Sequence, residues 1–240
     1  MKIMELIKRK AQDNMNNGGV TIAFLGDSVT QGCFEIYMDN DGEPQTIFNS
    51  NYGYHNALRQ IFAYLYPSVP VNIINSGISG DNAPHALGRL HRDVIRYSPD
   101  LVVVCFGLND CFQEEQGIPQ YIDALGEIFN TLKEKEIDVI FMTPNIMNSK
   151  ISPLITERAG RELSQTTMKL QNDGTLDAYI AAAKKLCQQM NVPVCDCYAK
   201  WKKLQDNGVD TTELLANRIN HPRKEMNWMF AIQLFETIIN

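Results

Sequence analysis

The sequence predicts an α/β fold: a doubly wound, five-stranded parallel sheet with helices on both faces. Three observations carry this expectation. Five short runs rich in β-branched residues recur along the chain, helical periodicity fills the intervals between them, and 240 residues with 44% hydrophobic content suffice for one large, well-buried core.

In chain order, the first strand is expected over 20–25. Residues 33–50, with Asp39, Asn40, Asp41, Gly42 and Pro44, read as a loop insertion after it. Leu58, Ile61, Phe62 and Leu65 mark one face of a helix, followed by a strand over 69–74. The run LVVVCF at 101–106 is a third strand, far too short to cross a membrane. Ile122, Leu125, Phe129 and Leu132 mark the next helix, and a fourth strand follows over 138–142. Residues 144–173 form a second insertion, long, polar and rich in Asn, Ser and Thr, with a helix of unfixed bounds inside. Long loops of this kind serve as lids or binding walls, or as plain surface excursions. Tyr179, Ile180, Ala183, Leu186 and Met190 give a further helix, and 192–195 the fifth strand. The last helix carries Trp228, Met229, Ile232, Phe235 and Ile239 on its apolar side. The order is flavodoxin-like, and 1–240 reads as a single domain without internal repeats.

Composition narrows the function. The net charge of −6, from 22 basic and 28 acidic residues, argues against a general nucleic-acid binder. The N-terminal stretch MKIMELIKRKAQDNM has charges among its apolar positions and no small-residue cleavage site, so it does not read as a secretory signal. Six cysteines, among them Cys105 and Cys195 inside expected strands, lack metal-ligand spacing and read as free core thiols of a cytoplasmic protein. No metal, cofactor or membrane partner is expected, and no oligomeric state is fixed.

In open parallel sheets, ligands bind beyond the carboxyl ends of the strands. Gly26-Asp27-Ser28-Val29-Thr30 follows the first strand, Asn75-Ser76-Gly77-Ile78-Ser79-Gly80-Asp81 the second, and Gly107-Leu108-Asn109-Asp110 the third; Asn220-His221-Pro222 precedes the last helix. Each piece alone also fits a turn or a helix cap. Together they place a hydroxyl, backbone N–H groups, a side-chain amide and an imidazole on one rim, the inventory of acyl transfer.

The stretches IAFLGDSVTQG, INSGISGDNAPHALGRL, LVVVCFGLND and INHP resemble those of SGNH hydrolases, the GDSL-like lipases and esterases, and they span nearly the whole chain. The resemblance implies a three-layer α/β/α fold and the activity of a carboxylic ester hydrolase. It implies Ser28 as nucleophile, His221 as base, and an oxyanion hole made by the Ser28 and Gly80 N–H groups and the Asn109 side chain. One position departs from the pattern. The family carries Asp three residues before the His, where this chain has Arg218. A cation cannot accept the imidazole proton, so Arg218 is expected to face away, towards substrate or a carboxylate. The orienting partner of His221 is then a backbone carbonyl near Asn217 or Arg218, or a distant Asp or Glu. Asp27, Arg218 and His85 are candidates for the pocket wall; His55 and His91 read as packing or surface residues.

The resulting expectation is a small-molecule ester substrate with a short acyl group, such as the O-acetyl groups of carbohydrates. Asn145, Asn148, Ser149 and Gln171 are compatible with sugar hydroxyls. The alternatives are a thioesterase or lysophospholipase, with Tyr37, Phe48, Tyr52 and Tyr54 lining an apolar groove, and a non-catalytic sugar-binding domain on the same scaffold.

Overall fold

A computed structural model describes residues 1–39, 41 and 44–240. Helix α1 (Lys2–Gln12) leads into strand β1 (Val20–Gly26), and the one-turn helix α2 (Ser28–Gln31) follows directly. A hairpin of β2 (Cys33–Met38) and β3 (Pro44–Phe48) precedes α3 (Tyr54–Leu65). Then come β4 (Val71–Gly77), α4 (Ala83–Asp93), β5 (Leu101–Cys105), α5 (Ile118–Glu134) and β6 (Asp138–Met142). The chain closes with α6 (Arg158–Asn172), α7 (Thr175–Gln189), β7 (Val194–Cys195), α8 (Cys197–Asp206) and α9 (Asn227–Ile239).

The main sheet runs β4-β1-β5-β6-β7, and all its pairings are parallel. This is the expected flavodoxin-like order. β5 is buried along its whole length, and β1 and β6 almost so, because helices cover both faces. One helical layer packs α3 against α9, with α1 and α8 beside α9; the other packs α4 and α7 against α5. Among the described residues, no helix is long and apolar enough to cross a membrane. All six cysteines are free and buried.

Four sequence expectations need correction. Residues 33–50 are not a plain loop: β2 and β3 pair antiparallel, with Cys33 opposite Phe48 and a bulge before Glu35. The excursion keeps Ile36, Tyr37, Ile47 and Phe48 exposed, so no buried face imposes the alternation that marks a strand. Of the turn residues singled out there, Asn40 and Gly42 lie outside the described residues. β4 extends three residues past the expected end, because Asn75, Ser76 and Gly77 continue the register against Phe24, Leu25 and Gly26. α9 buries Phe230, Ala231, Leu234 and Ile238, whereas Trp228, Ile232 and Ile239 stay exposed. Its sequence is apolar on two sides, and contact of Phe230 with Tyr54 and Trp201 selects the buried one. Finally, 144–148 is a buried brace, and α6 fills most of the remainder of the 144–173 segment.

Candidate active site

The carboxyl ends of β1, β4 and β5 meet at one edge of the sheet, and each leaves it through a tightly built turn. After β1, Asp27 caps α2 with an extended backbone, its carboxylate accepting the Val29 N–H at 2.9 Å. Gly32, left-handed at φ 92°, ends the helix after one turn. Ser28 therefore occupies the first helical position, where its N–H has no intrahelical acceptor. β4 ends against this same turn. A Cβ on Gly77 would lie 2.2 Å from the Gln31 nitrogen, so only glycine fits there.

The Ser28 hydroxyl lies 2.9 Å from His221 Nε2, a contact between residues 193 positions apart. Both side chains are nearly buried, at 5% and 2% exposure. The turn after β4 brings Gly80 to the same edge in a left-handed conformation, φ 78°. It is tied to α2 by Ser79 N–H donating to the Gln31 side chain at 2.7 Å, and closed by Asp81 N–H donating to the Ile78 carbonyl. Among the described residues no hydrogen bond takes the Gly80 N–H. Asn109, after β5, donates one amide hydrogen to the Asp81 carbonyl at 2.8 Å, which orients the amide and leaves its second hydrogen free.

Two buried groups below the rim lock these turns together. The Arg89 guanidinium binds the Gly26 and Ser76 carbonyls at 3.1 and 2.7 Å and pairs with the Asp81 carboxylate, its Nε–Oδ2 distance being 2.7 Å. Asp110 accepts the Ala83 and Gly107 N–H groups, both at 2.9 Å. Burial pushes the Asp110 carboxyl up to about 6 despite those bonds. It pushes Asp27 up to about 7, with the charges of Asp110 and Asp81 adding to the rise.

His221 sits in a loop held at several points. Ala216 N–H donates to the His221 carbonyl at 2.7 Å, and Arg223 N–H to the Leu214 carbonyl at 2.9 Å. Asn148 N–H reaches the Ile219 carbonyl, and the Asn145 amide reaches the Asn220 carbonyl. On the Nδ1 side of the ring stand the Asn217 amide nitrogen at 3.2 Å and the Cys33 sulfur at 3.5 Å. Burial depresses the ring to about 4, against a backbone hydrogen bond at Phe34 that favours the charged form. Burial raises the Cys33 thiol to about 12, so it stays protonated. The arrangement offers a hydroxyl against a neutral imidazole, with the Gly80 turn and the Asn109 amide held at the same edge of the sheet. Among the described residues, no three His, Cys, Asp or Glu side chains are arranged to ligate a metal.

Known proteins share this arrangement of sequence and fold. The model of the GDSL-like lipase/acylhydrolase family matches residues 24–228. The chain belongs to that family. It is 29% identical over 135 residues to an acetylxylan esterase of Geobacillus stearothermophilus, a match covering 52% of this chain and 60% of that relative's length. In fold it is similar to a catalytic mutant of Axe2, an acetylxylan esterase from the same organism (TM-score 0.67, 20% identity, 93% of this chain and 96% of that one). It is also similar to the acetyl xylan esterase AlAXEase (TM-score 0.67, 19% identity, 91% and 100%) and to LAE5, an α/β hydrolase from the metagenome of Lake Arreo (TM-score 0.67, 18% identity, 92% and 95%).

Against the family pattern, the structure brings Ser28 and His221 into contact and sets the Gly80 turn and Asn109 beside them. The pocket-wall candidates fare differently. Asp27 is buried beneath the rim, and the His85 side chain is 87% exposed, 3.5 Å from Asp81. Arg218 turns away from the ring and pairs with Glu213 at 3.4 Å. Asn145, Asn148 and Gln171 are buried and hold backbone groups of the loops, so they are braces rather than sugar contacts. Ser149 is half-buried, its N–H on Thr212. Tyr54 is fully buried, its hydroxyl bonded to Thr30, and cannot line a groove. The sequence does not single out Arg89; it marks Asp110 only as part of a turn and Asn217 only for its backbone carbonyl, not for the side chains that act here. Arg89 stands inside the motif GDNAPHALGRL and Asp110 beside Asn109, which is the signal that could have found them.

Proposed function

We propose that this protein is a carboxylic ester hydrolase that removes acetyl groups from carbohydrates by acyl transfer through Ser28. The observation that carries the reading is the 2.9 Å contact between Ser28 Oγ and His221 Nε2, at the sheet edge that also carries the Gly80 turn and Asn109. In the tautomer with its proton on Nδ1, His221 accepts the Ser28 proton at Nε2 as Oγ attacks the ester carbonyl. The three donors stabilise the negative oxygen of the tetrahedral intermediate. His221 returns the proton to the departing sugar hydroxyl, leaving Ser28 acetylated. Water, deprotonated by the same imidazole, attacks that ester and frees acetate and Ser28.

Family membership and the acetylxylan esterase relatives support the ester class and the sugar acetyl substrate. The burial of Tyr54 weighs against a long acyl chain, because the groove it was expected to line loses a wall. The test is hydrolysis of p-nitrophenyl esters from acetate upward, alongside acetate release from acetylated xylo-oligosaccharides. Turnover highest on acetyl groups supports the reading. A rate that climbs with chain length would replace it with the thioesterase or lysophospholipase reading, and binding without turnover would favour the sugar-binding one.

A further inference from the structure

We infer that Asn217 stands where an acidic partner of His221 would stand, and that it holds the resting imidazole with its proton on Nε2, the tautomer that cannot take the Ser28 proton. The inference rests on the hydrolase reading above for its kinetic consequence, but not for its structural content.

The sequence pattern places the acidic partner at Arg218; the structure moves it one residue earlier. Arg218 is left-handed, φ 55°, an uncommon conformation for a residue with a Cβ. The bend lets three consecutive N–H groups beyond it converge on one atom. Asn217 Oδ1 accepts from Ile219 N–H at 3.0 Å, from Asn220 N–H at 3.0 Å and from His221 N–H at 2.9 Å. Those donors fix which end of the amide is oxygen, since the flipped amide would set an NH2 group against three N–H groups.

The NH2 end then faces Asn220 Oδ1 at 2.9 Å and His221 Nδ1 at 3.2 Å. An amide NH2 donates and does not accept, so it favours a bare Nδ1 in the neutral ring, and it competes at that nitrogen with the Phe34 backbone, which favours the protonated one. Nε2 carries the proton and donates it to Ser28 Oγ across the 2.9 Å contact. Catalysis draws on the other tautomer, whose Nδ1–H has the Phe34 backbone and the weakly accepting Cys33 sulfur to turn to. Asn217 is thus a positioning residue with a negative sign. Asn in place of Asp in a Ser-His-Asp triad lowers kcat about 10⁴-fold by this tautomer effect.

The geometry also says how to reverse it. In Asn217→Asp, one carboxylate oxygen keeps the three N–H groups and the other meets Nδ1 as an acceptor. Asn220 answers by turning its own amide to donate. The expected result is a gain in kcat on p-nitrophenyl acetate of about 10² or more, towards the 10⁴ difference between the two tautomeric arrangements, with little change in KM. The direct readout is the ¹⁵N spectrum of the His221 ring at neutral pH. The wild type is expected to show a protonated Nε2 and a bare Nδ1, and Asn217→Asp the reverse. A wild-type ring protonated on Nδ1 overturns the inference, as does an Asn217→Asp variant with neither tautomer nor kcat changed. Should that variant fail to fold, the wild-type spectrum alone decides. If the spectra behave as expected while both proteins lack esterase activity, the hydrolase reading fails and the assignment of Asn217 stands.

Discussion

Acidification should separate this site from one built around an ordinary histidine. Burial depresses His221 from the usual 6.5 to about 4, and the backbone at Phe34 opposes this only in part. The gap of 2.5 pH units corresponds to roughly 3 kcal/mol against the imidazolium at 1.36 kcal/mol per unit. The acid limb of kcat/KM, which reports the free enzyme, should therefore inflect near pH 4 rather than between 6 and 7. Stability has the same sign. Between 6.5 and about 4 the unfolded chain binds more protons than the folded one, so stability present above pH 6.5 is lost as the pH falls towards 4. His55, buried and also depressed to about 4, adds to the loss. Asp27 and Asp110 run the other way: raised to about 7 and about 6, they withdraw stability as the pH rises through those values. The assay is kcat/KM on p-nitrophenyl acetate from pH 3.5 to 8, with circular dichroism at each pH to isolate the folded protein. A limb at pH 6 to 7 in fully folded protein would refute the claim that burial dominates the His221 environment.

Three substitutions probe the rest of the site. Asn109→Ala should lower kcat by about 10² to 10³ with a smaller change in KM, as loss of one oxyanion donor does; unchanged kcat would make Asn109 a turn residue. Arg218→Ala removes an ion pair with the partly exposed Glu213 and should leave kcat on p-nitrophenyl acetate nearly unaltered. A drop of about 10³, the scale of a disabled triad member, would place Arg218 in the chemistry. Arg89→Met leaves the buried Asp81 carboxylate with only the exposed His85 beside it, and urea titration should show a loss of about 3 to 5 kcal/mol. A loss below about 1 kcal/mol would deny Arg89 its role as a clamp.

How much of this was visible in the sequence depended on how one-sided each element's surroundings are. β5 and β6 were legible because burial on both faces writes a continuous apolar run. The end of β4 was not, because Asn75, Ser76 and Gly77 are strand by register and polar by function: Asn75 bonds His55, and Ser76 bonds Asp93. The β2–β3 hairpin escaped notice because, beyond the buried Cys33 and Phe34, its described side chains are exposed or half-buried and write no alternating pattern. α9 misled because two of its faces are apolar and only the packing of Phe230 distinguishes them. At the site, Ser28, Asn109 and His221 stood out through motifs at strand ends. Asn217 did not, because its role depends on a left-handed Arg218 that no residue type announces. Asn145 and Asn148 looked like sugar contacts because polar residues in a long segment read as surface; only the fold shows them turned inward to hold the His221 loop.

The central claim is that Ser28 carries the acyl group. Its most direct test is Ser28→Ala assayed for acetate release from acetylated xylo-oligosaccharide, with p-nitrophenyl acetate as a second substrate. The hydroxyl is buried in a rigid turn and, among the described residues, bonded only to His221, so removing one oxygen should leave the fold and thermal unfolding nearly unchanged. Turnover of both substrates is expected to vanish, leaving only the weak assistance of binding and the oxyanion donors. Wild-type rates in a folded Ser28→Ala protein would contradict the account and move the reaction to another group.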